Sequence, residues 1–452
     1  MPTSCNIFNE SLHNRTYNVG FVIKIAFCDQ KNMNIKEKLR ILHKTPEKLH
    51  TESQAMHGPD YKYIANQLGG CLIESTHGDI IRIIKRVTFN EIAESAILQQ
   101  VRDIPGKNAA ILSKNKVEDN FSFRSALFID TETTGLTGSS GTYAFLVGVG
   151  YFQLNEFVVE LLFMPGLGDE QALLVYLENL LSERTGIVSY NGKSYDIPLL
   201  TARFIQNRMR PTIDLLQHFD VLHAARRIWK NDFGNCTLIT LERNLLHIER
   251  DGDIPGDEIP EIYKTYLRTF ETSQLKKVIY HNQMDIVSMA ALIGILNQNL
   301  CELNNPPELS GQNHTETRIV NLLQSTNEAE QAITRMQIIL EQKAVTDFER
   351  AEIRFNLGML HKRRNEWLLA EKHWLELIEQ LPFAIPPAIE LAKYYEHRLK
   401  NYQKALELTN RCLDFIQVRV ELGKNFEEDY VLALQKRKMR IEKKISRTKP
   451  FR

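Results

Sequence analysis

The sequence predicts an α/β domain built on a mixed sheet, followed by an all-α domain. Three observations predict it. Apolar runs of strand length alternate with helical periodicity from about residue 123. The first strong strand ends in two carboxylates, Asp130 and Glu132, and two further acids, Asp196 and Asp285, sit at or near the starts of later helices. Beyond residue 318 only helical periodicity remains, with similar segments 34 residues apart.

Residues 1–32 read as a disordered extension. A helical pattern starts at Met33, which is therefore expected as the real start, and Ile35–Leu42 is expected to be a short helix. Residues 33–120 form a poorly defined N-terminal region, in which Leu68–Thr88 alternates apolar and polar residues around Gly69, Gly70 and Gly78, the pattern of a hairpin. In the α/β domain, residues 121–302, Ser125–Asp130, Thr142–Gln153 and Phe157–Phe163 read as strands of a meander. Asp169–Arg184 is helical, Gly186–Tyr190 is a fourth strand, and Ile197–Asn207 is helical again. From Val221 to Asn299 the pattern is mostly helical, broken by a turn-rich stretch at Asp251–Pro260. Residues 303–317, with two prolines and a glycine, read as a linker, and 318–452 as the helical domain with a basic C-terminal tail. There Leu357-Gly358, His361, Ala370, Trp374 and Pro382, then Leu391-Ala392, Tyr395 and Ala405, fit a tetratricopeptide-like repeat. A generic helical bundle is the alternative.

The chain has 452 residues and a formal net charge of zero, which argues against a protein that coats nucleic acid by bulk charge. The charge is unevenly spread: net +3 over residues 1–120, −6 over 121–300 and +3 over 301–452. The six cysteines include no CxxC pair, so neither a zinc ribbon nor a disulfide framework is expected. Reduced thiols fit a cytoplasmic protein. No uninterrupted apolar run reaches membrane-spanning length, so no membrane partner is expected.

Strand periodicity is two, so Asp130 and Glu132 point to one side. Adjacent carboxylates there are costly unless a cation neutralises them. Read alone, the pair could equally be a strand end running into a polar turn. Asp196 follows Tyr190-Asn191-Gly192-Lys193-Ser194-Tyr195 and could simply cap the next helix. His281 and Asp285 are four apart and share a helical face, as an exposed polar pair also would.

Taken together, the four acids resemble the four-acid (DEDD-type) exonuclease superfamily with a ribonuclease-H-like fold. The third acid falls in the pattern Asn191-x3-Tyr195-Asp196. More closely, FIDTETTGLTGSSGTYAFLVGVG, SYNGKSYDIPLL, DVLHAARRIW, DGDIPGDEIPEIY and HNQMDIVSM, spanning roughly 123–295, resemble the YprB-like family. Its members often carry a tetratricopeptide tail.

The resemblance implies a 3′–5′ exonuclease acting on single-stranded ends of RNA or DNA. Asp130, Glu132, Asp196 and Asp285 would hold two Mg²⁺ or Mn²⁺ ions, with His281 as base. Thr133, Gly135, Leu136, Asn191 and Tyr195 would meet the terminal nucleotide, and the helices would dock a protein partner. One departure stands out. In the superfamily, His lies five residues before the last acid, or Tyr four before it; here these positions hold Tyr280 and His281. The helical i, i+4 relation favours His281 as base. A scaffold that binds nucleic acid with little or no turnover is the alternative.

Three further stretches are read as follows. Arg226-Arg227-Ile228-Trp229-Lys230 mixes charge with an aromatic, as both nucleic-acid surfaces and ordinary surface helices do. Asp251–Glu258 looks like a calcium loop, but Pro255 and Ile262 occupy ligand positions, so it reads as a turn. His218, His223 and His247 read as surface or core residues. Lys436–Arg452 is a basic run, solvated or phosphate-binding.

Overall fold

The computed structural model describes residues 59–88, 93–135, 141–301, 314–341, 345–381, 384–423 and 428–448. The expected extension and the helix expected at 35–42 lie outside the described residues, as does most of the expected linker. Residues 314–317 of that linker are already helical.

Helix α1 (Tyr61–Gln67), capped by the Asp60 carboxylate, leads into the expected hairpin of β1 (Cys71–Ser75) and β2 (Gly78–Thr88). Helices α2 (Ala93–Arg102) and α3 (Gly106–Ser113) follow. Next come β3 (Ala126–Thr133), β4 (Ala144–Gln153) and β5 (Glu156–Phe163), the expected meander. Helix α4 (Glu170–Ser182), β6 (Gly186–Ser189), α5 (Asp196–Gln206) and β7 (Gln217–Asp220) complete the sheet region. Then α6 (Val221–Phe233), the single turn α7 (Leu238–Leu241), α8 (Ile259–Thr269) and the long α9 (Leu275–Cys301) close it.

The seven strands form one mixed sheet in the order β1-β2-β5-β4-β3-β6-β7. The early hairpin therefore extends the main sheet rather than standing apart, because β2 pairs antiparallel with β5. β6 and β7 run parallel to β3, which carries the first two acids. β7 was not expected. Its four residues, QHFD, are too short and too polar to show strand periodicity, and pairing with β6 defines it.

The core follows from the strand sequences. Ala126, Leu127, Phe128 and Ile129 are all fully buried, as parallel pairing on one side and helices on both faces require. Phe128 meets Phe157 edge-on at 5.2 Å, and Tyr263 of α8 stacks on Phe145 at 4.0 Å.

Helix α9 is long and apolar enough to cross a membrane by length and composition. It is a core helix instead: Met289, Ala290, Leu292, Ile293 and Leu296 are buried. Gly148 and Gly150 of β4 allow its approach. A Cβ at 148 would lie 1.9 Å from the Asn282 side-chain oxygen, and one at 150 would lie 2.6 Å from Ile286. Only glycine leaves room for the helix at that spacing.

The helical region comprises α10 (His314–Ser325), α11 (Ala329–Glu341), α12 (Asp347–Arg363), α13 (Trp367–Gln380), α14 (Ile385–His397), α15 (Tyr402–Glu421) and α16 (Glu428–Thr448). It is fastened to the sheet region by two arginines. Arg318 pairs with Asp232 at 2.6 Å. Arg335, fully buried, donates to the Leu300 and Asn299 carbonyls at 2.9 and 2.7 Å, so it satisfies the open C-terminal end of α9. Of the spaced small and large residues, Leu357, Ala370, Trp374, Leu391, Ala392, Tyr395 and Ala405 are buried, whereas Pro382 lies outside the described residues. Gly358 lies under the Trp374 indole, where a Cβ would be 2.2 Å from its nitrogen.

The basic tail has a structural use. Glu396 of α14 is fully buried and accepts from Arg437, Arg440 and Lys444 of α16 at 2.7 to 2.9 Å. Burial pushes its carboxyl up, but the bonds from Arg440 and Lys444 outweigh that and hold it at about 2. A lowered carboxyl pKa stabilises the fold above the unfolded value, and the gain is lost as pH falls toward the folded value. Glu396→Ala is therefore expected to destabilise the last helices by about 2 kcal/mol at neutral pH, less than a fully buried pair because its cations are partly exposed. Wild type should approach the variant's stability as pH drops from about 4.5 to 2, read by thermal melting. Equal melting at pH 7 would show that the network contributes nothing.

Candidate active site

Three chain segments converge at the ends of β3 and β6. β3 brings Asp130 and Glu132, α5 brings Asp196 at its first position, and α9 brings His281, Asn282 and Asp285. The carboxylate of Asp196 accepts from the Thr131 backbone N–H at 3.1 Å and from the Thr131 hydroxyl. It does not cap its helix: Tyr195 holds that position and makes no side-chain capping bond. The third acid is thus turned back onto the strand that carries the first two. The Asn282 amide donates to Asp130 at 2.7 Å. Ligand atoms of Glu132, His281 and Asp285 all lie within 4.8 Å of one another.

Burial raises all four carboxyls, and repulsion from the other acids of the cluster adds to it at Asp130 and Glu132. Asp130 is pushed well above the usual carboxylate range by burial first, then by Asp285, Asp196 and Glu132, with Arg250 opposing. Glu132 is raised in the same way, opposed by a bond from Asn282. Asp196 rises to about 6, chiefly from burial, against the bonds from Thr131 and its own backbone. Asp285 is raised by burial, with Arg250 and His281 pulling it back.

Two further residues, missed at sequence level, hold the fourth acid and the histidine. Arg250 reaches Asp285 at 2.5 Å, Glu242 at 2.5 Å and Asp253 at 3.3 Å. Asp253 in turn faces His281 Nδ1 at 2.8 Å, while Nε2 stands 3.6 Å from Asp285. The loop dismissed as a calcium site is a turn, as expected, but its Asp253 is a partner of the site. The acid-rich run following Arg250 was the only available signal. Glu242, which pairs with Arg250, lies in a single π-helical turn that no periodicity announces.

The expected nucleotide contacts are placed unevenly. Tyr195 is half exposed beside Asp196, and Asn191 sits in a left-handed turn with φ 66°. The Thr133 hydroxyl bonds the Gly135 carbonyl at 2.7 Å and faces none of the acids in that bond. A Cβ at Gly135 would meet nothing within 4 Å, so packing does not demand glycine there. Leu136 lies outside the described residues. Trp229 is core and Arg227 bonds the Leu112 carbonyl, so of the expected basic–aromatic surface only Arg226 and Lys230 face outward. His218 bonds the Ser189 hydroxyl at 2.7 Å, burial keeping it neutral to about 3.

The donor set suits a hard divalent cation. Four coupled carboxylates gather beside one arginine, Arg250; among them Glu132 and Asp285, with the His281 imidazole, are close enough to share one ion, and no cysteine belongs to that group. In a metal-free protein each raised carboxyl favours the folded state below the unfolded value and loses that contribution as pH climbs through the folded one. Metal-free Asp130→Asn should therefore melt higher than metal-free wild type at pH 7.5, with the gap closing near pH 4. Saturating divalent cation should stabilise wild type by about 2.7 kcal/mol at a hundredfold excess over Kd, and the variant less. A melting curve of wild type unmoved by Mg²⁺ and Mn²⁺ would contradict the cation reading.

A family model described as the RNase_H superfamily matches residues 127–297, which span β3 to α9. The uncharacterized protein YprB of Bacillus subtilis (strain 168) is 32% identical over 351 residues, covering 76% of this chain and 80% of that protein. Among solved structures, the family B DNA polymerase of the hyperthermophilic archaeon Pyrobaculum calidifontis overlaps 49% of this chain and 30% of its own, at 19% identity and a TM-score of 0.32.

Proposed function

The chain belongs to the YprB family and contains a ribonuclease H superfamily domain, and from that premise we propose that it is a metal-dependent 3′–5′ exonuclease acting on single-stranded nucleic-acid ends. The observation that carries the reading is the gathering of four carboxylates, Asp196 buried and the other three part-buried, from three separate segments, with a histidine held beside the fourth.

Asp130, Glu132, Asp196 and Asp285 would hold two ions, Mg²⁺ or Mn²⁺. Once bound, the ions supply charge neutralisation at the phosphodiester and lower the pKa of a water. The chain's own residues do the rest. Asp253 accepts from Nδ1–H of His281, which leaves Nε2 free to take the proton of the attacking water. Asp253 is thus a positioning residue. Arg250 fixes the carboxylate of Asp285, and Asn282 fixes that of Asp130. The half-exposed Tyr195 ring would stack on the terminal base, with Asn191, Thr133, Gly135 and Leu136 around the same nucleotide. The helices from α10 onward would form a tetratricopeptide-like array that docks a protein partner in the cytoplasm.

Digestion of matched end-labelled RNA and DNA strands with Mg²⁺ or Mn²⁺ tests the reading. Mononucleotides released from the 3′ end are expected, with a preference that identifies the substrate. Asp130→Ala should lower the rate by about 10³-fold or more. Internal fragments would mean an endonuclease, and retained binding without any product would mean a scaffold. Asp253→Asn should slow hydrolysis by about 10- to 100-fold while leaving cation binding in place. An Asp253→Asn enzyme as fast as the parent would remove Asp253 from the mechanism.

A further inference from the structure

A second polar site lies next to the carboxylates, on the outward face of α6. It is a cavity of about 610 Å³ between α6, the turn after it and the loop after β6. Tyr190, Asn191, Arg226, Lys230, Asn235 and Thr237 line it.

Its charge is positive and uncommitted. Arg226 and Lys230 are exposed, lie one helical turn apart on one face, and form no ion pair with an acid among the described residues. The nearest acid on the helix, Asp232, is taken by Arg318 at 2.6 Å. Trp229, between them in sequence, is buried and holds the helix in place from below.

The cavity is tied to the carboxylate site through one short loop. Asp220, the N-cap of α6, accepts from Leu222, Asn191 and Lys193 backbone N–H groups at 3.0 to 3.2 Å. That bonding fixes the loop against the start of the helix. At the next residue, Gly192, a Cβ would lie 3.1 Å from the Asp196 carboxylate. Asn191 thus forms the edge of the cavity while its neighbour packs against the third acid. Arg226 and Lys230 follow, at successive turns along the helix, from the Asp220 cap that holds this loop.

We propose that this groove binds the phosphate backbone of single-stranded nucleic acid, at nucleotides beyond the one held by the carboxylates. The inference rests on the proposed exonuclease reading for the direction of the strand, but its own readout is binding and needs no turnover. Two cations a turn apart meet successive phosphates, while Asn191, Asn235 and Thr237 supply neutral hydrogen-bonding groups that suit any base sequence.

The test uses the full chain carrying Asp130→Asn, so that substrate survives, with Mg²⁺ and a labelled strand of about 12 nucleotides. Affinity is followed by fluorescence anisotropy across a salt series. Each phosphate contact on a single strand contributes about 0.7 to the logarithmic salt slope. Adding Arg226→Glu and Lys230→Glu should shrink the slope by about 1.4 and weaken binding at least tenfold. The exchange Arg226→Lys with Lys230→Arg should keep the slope. A mononucleotide, which does not extend past the carboxylates, should be bound equally by all three proteins. An unchanged slope in the correctly melting charge-reversed protein overturns the groove, whether or not the parent is a nuclease. Equal weakening of mononucleotide and long strand also overturns it, because the cations would then belong to the terminal-nucleotide pocket. A parent that hydrolyses nothing, yet shows the slope change, would overturn the exonuclease reading and leave the groove standing.

Discussion

Like charge held away from water is the constraint on which this architecture depends. Each of the four carboxylates is raised first by burial; neighbouring acids raise it further, and the bonds and positive charge around it pull it back. Such a cluster persists only if the surrounding structure over-determines it. The chain does this with separate anchors: Thr131 for Asp196, Asn282 for Asp130, and Arg250 for Asp285. Arg250 is itself held by Glu242 and Asp253, so its charge is shared among three acids rather than cancelling one. The remaining negative charge is what a divalent cation would meet.

Much of the sheet was legible in the sequence because its strands carry long apolar or alternating runs. The hairpin, the meander and β6 were all visible in that way. Membership of one sheet was not: the pairing of β2 with β5 joins residues some 75 apart, and no local pattern encodes it. β7 escaped for the opposite reason, being too short to have a period. At the site, the four acids and His281 were visible as residues, since strand and helix periodicity put each on a definable face. Their anchors were not. Arg250 and Asp253 act across 28 to 35 residues of chain, and Asn282 looks like one more polar residue in a helix start until β4 is set against it.

The C-terminal region illustrates how composition misleads when partners are distant. A run of basic residues reads as solvated or phosphate-binding until Glu396, about 40 residues earlier, is found buried beneath it. The same holds within α6. Of its mixed basic and aromatic stretch, Trp229 goes to the core and Arg227 to a backbone carbonyl, and Arg226 and Lys230 face outward with no ion pair among the described residues. In both helices the side that a residue faces decides its role, and that side is set by what the helix packs on.

Gly148 has a wider consequence. The spacing between α9 and β4 is set where a side chain is missing, with the Asn282 oxygen in the space a methyl group would fill. Side chains elsewhere in a core can shift rotamer and let neighbouring elements drift. Here a strand backbone meets a side chain that its bond to Asp130 holds in place, which removes much of that slack. The separation between the strand-borne and helix-borne acids is therefore gauged by atomic radii at two neighbouring positions, Gly148 and Gly150, where the close-packed interior leaves no volume for a side chain.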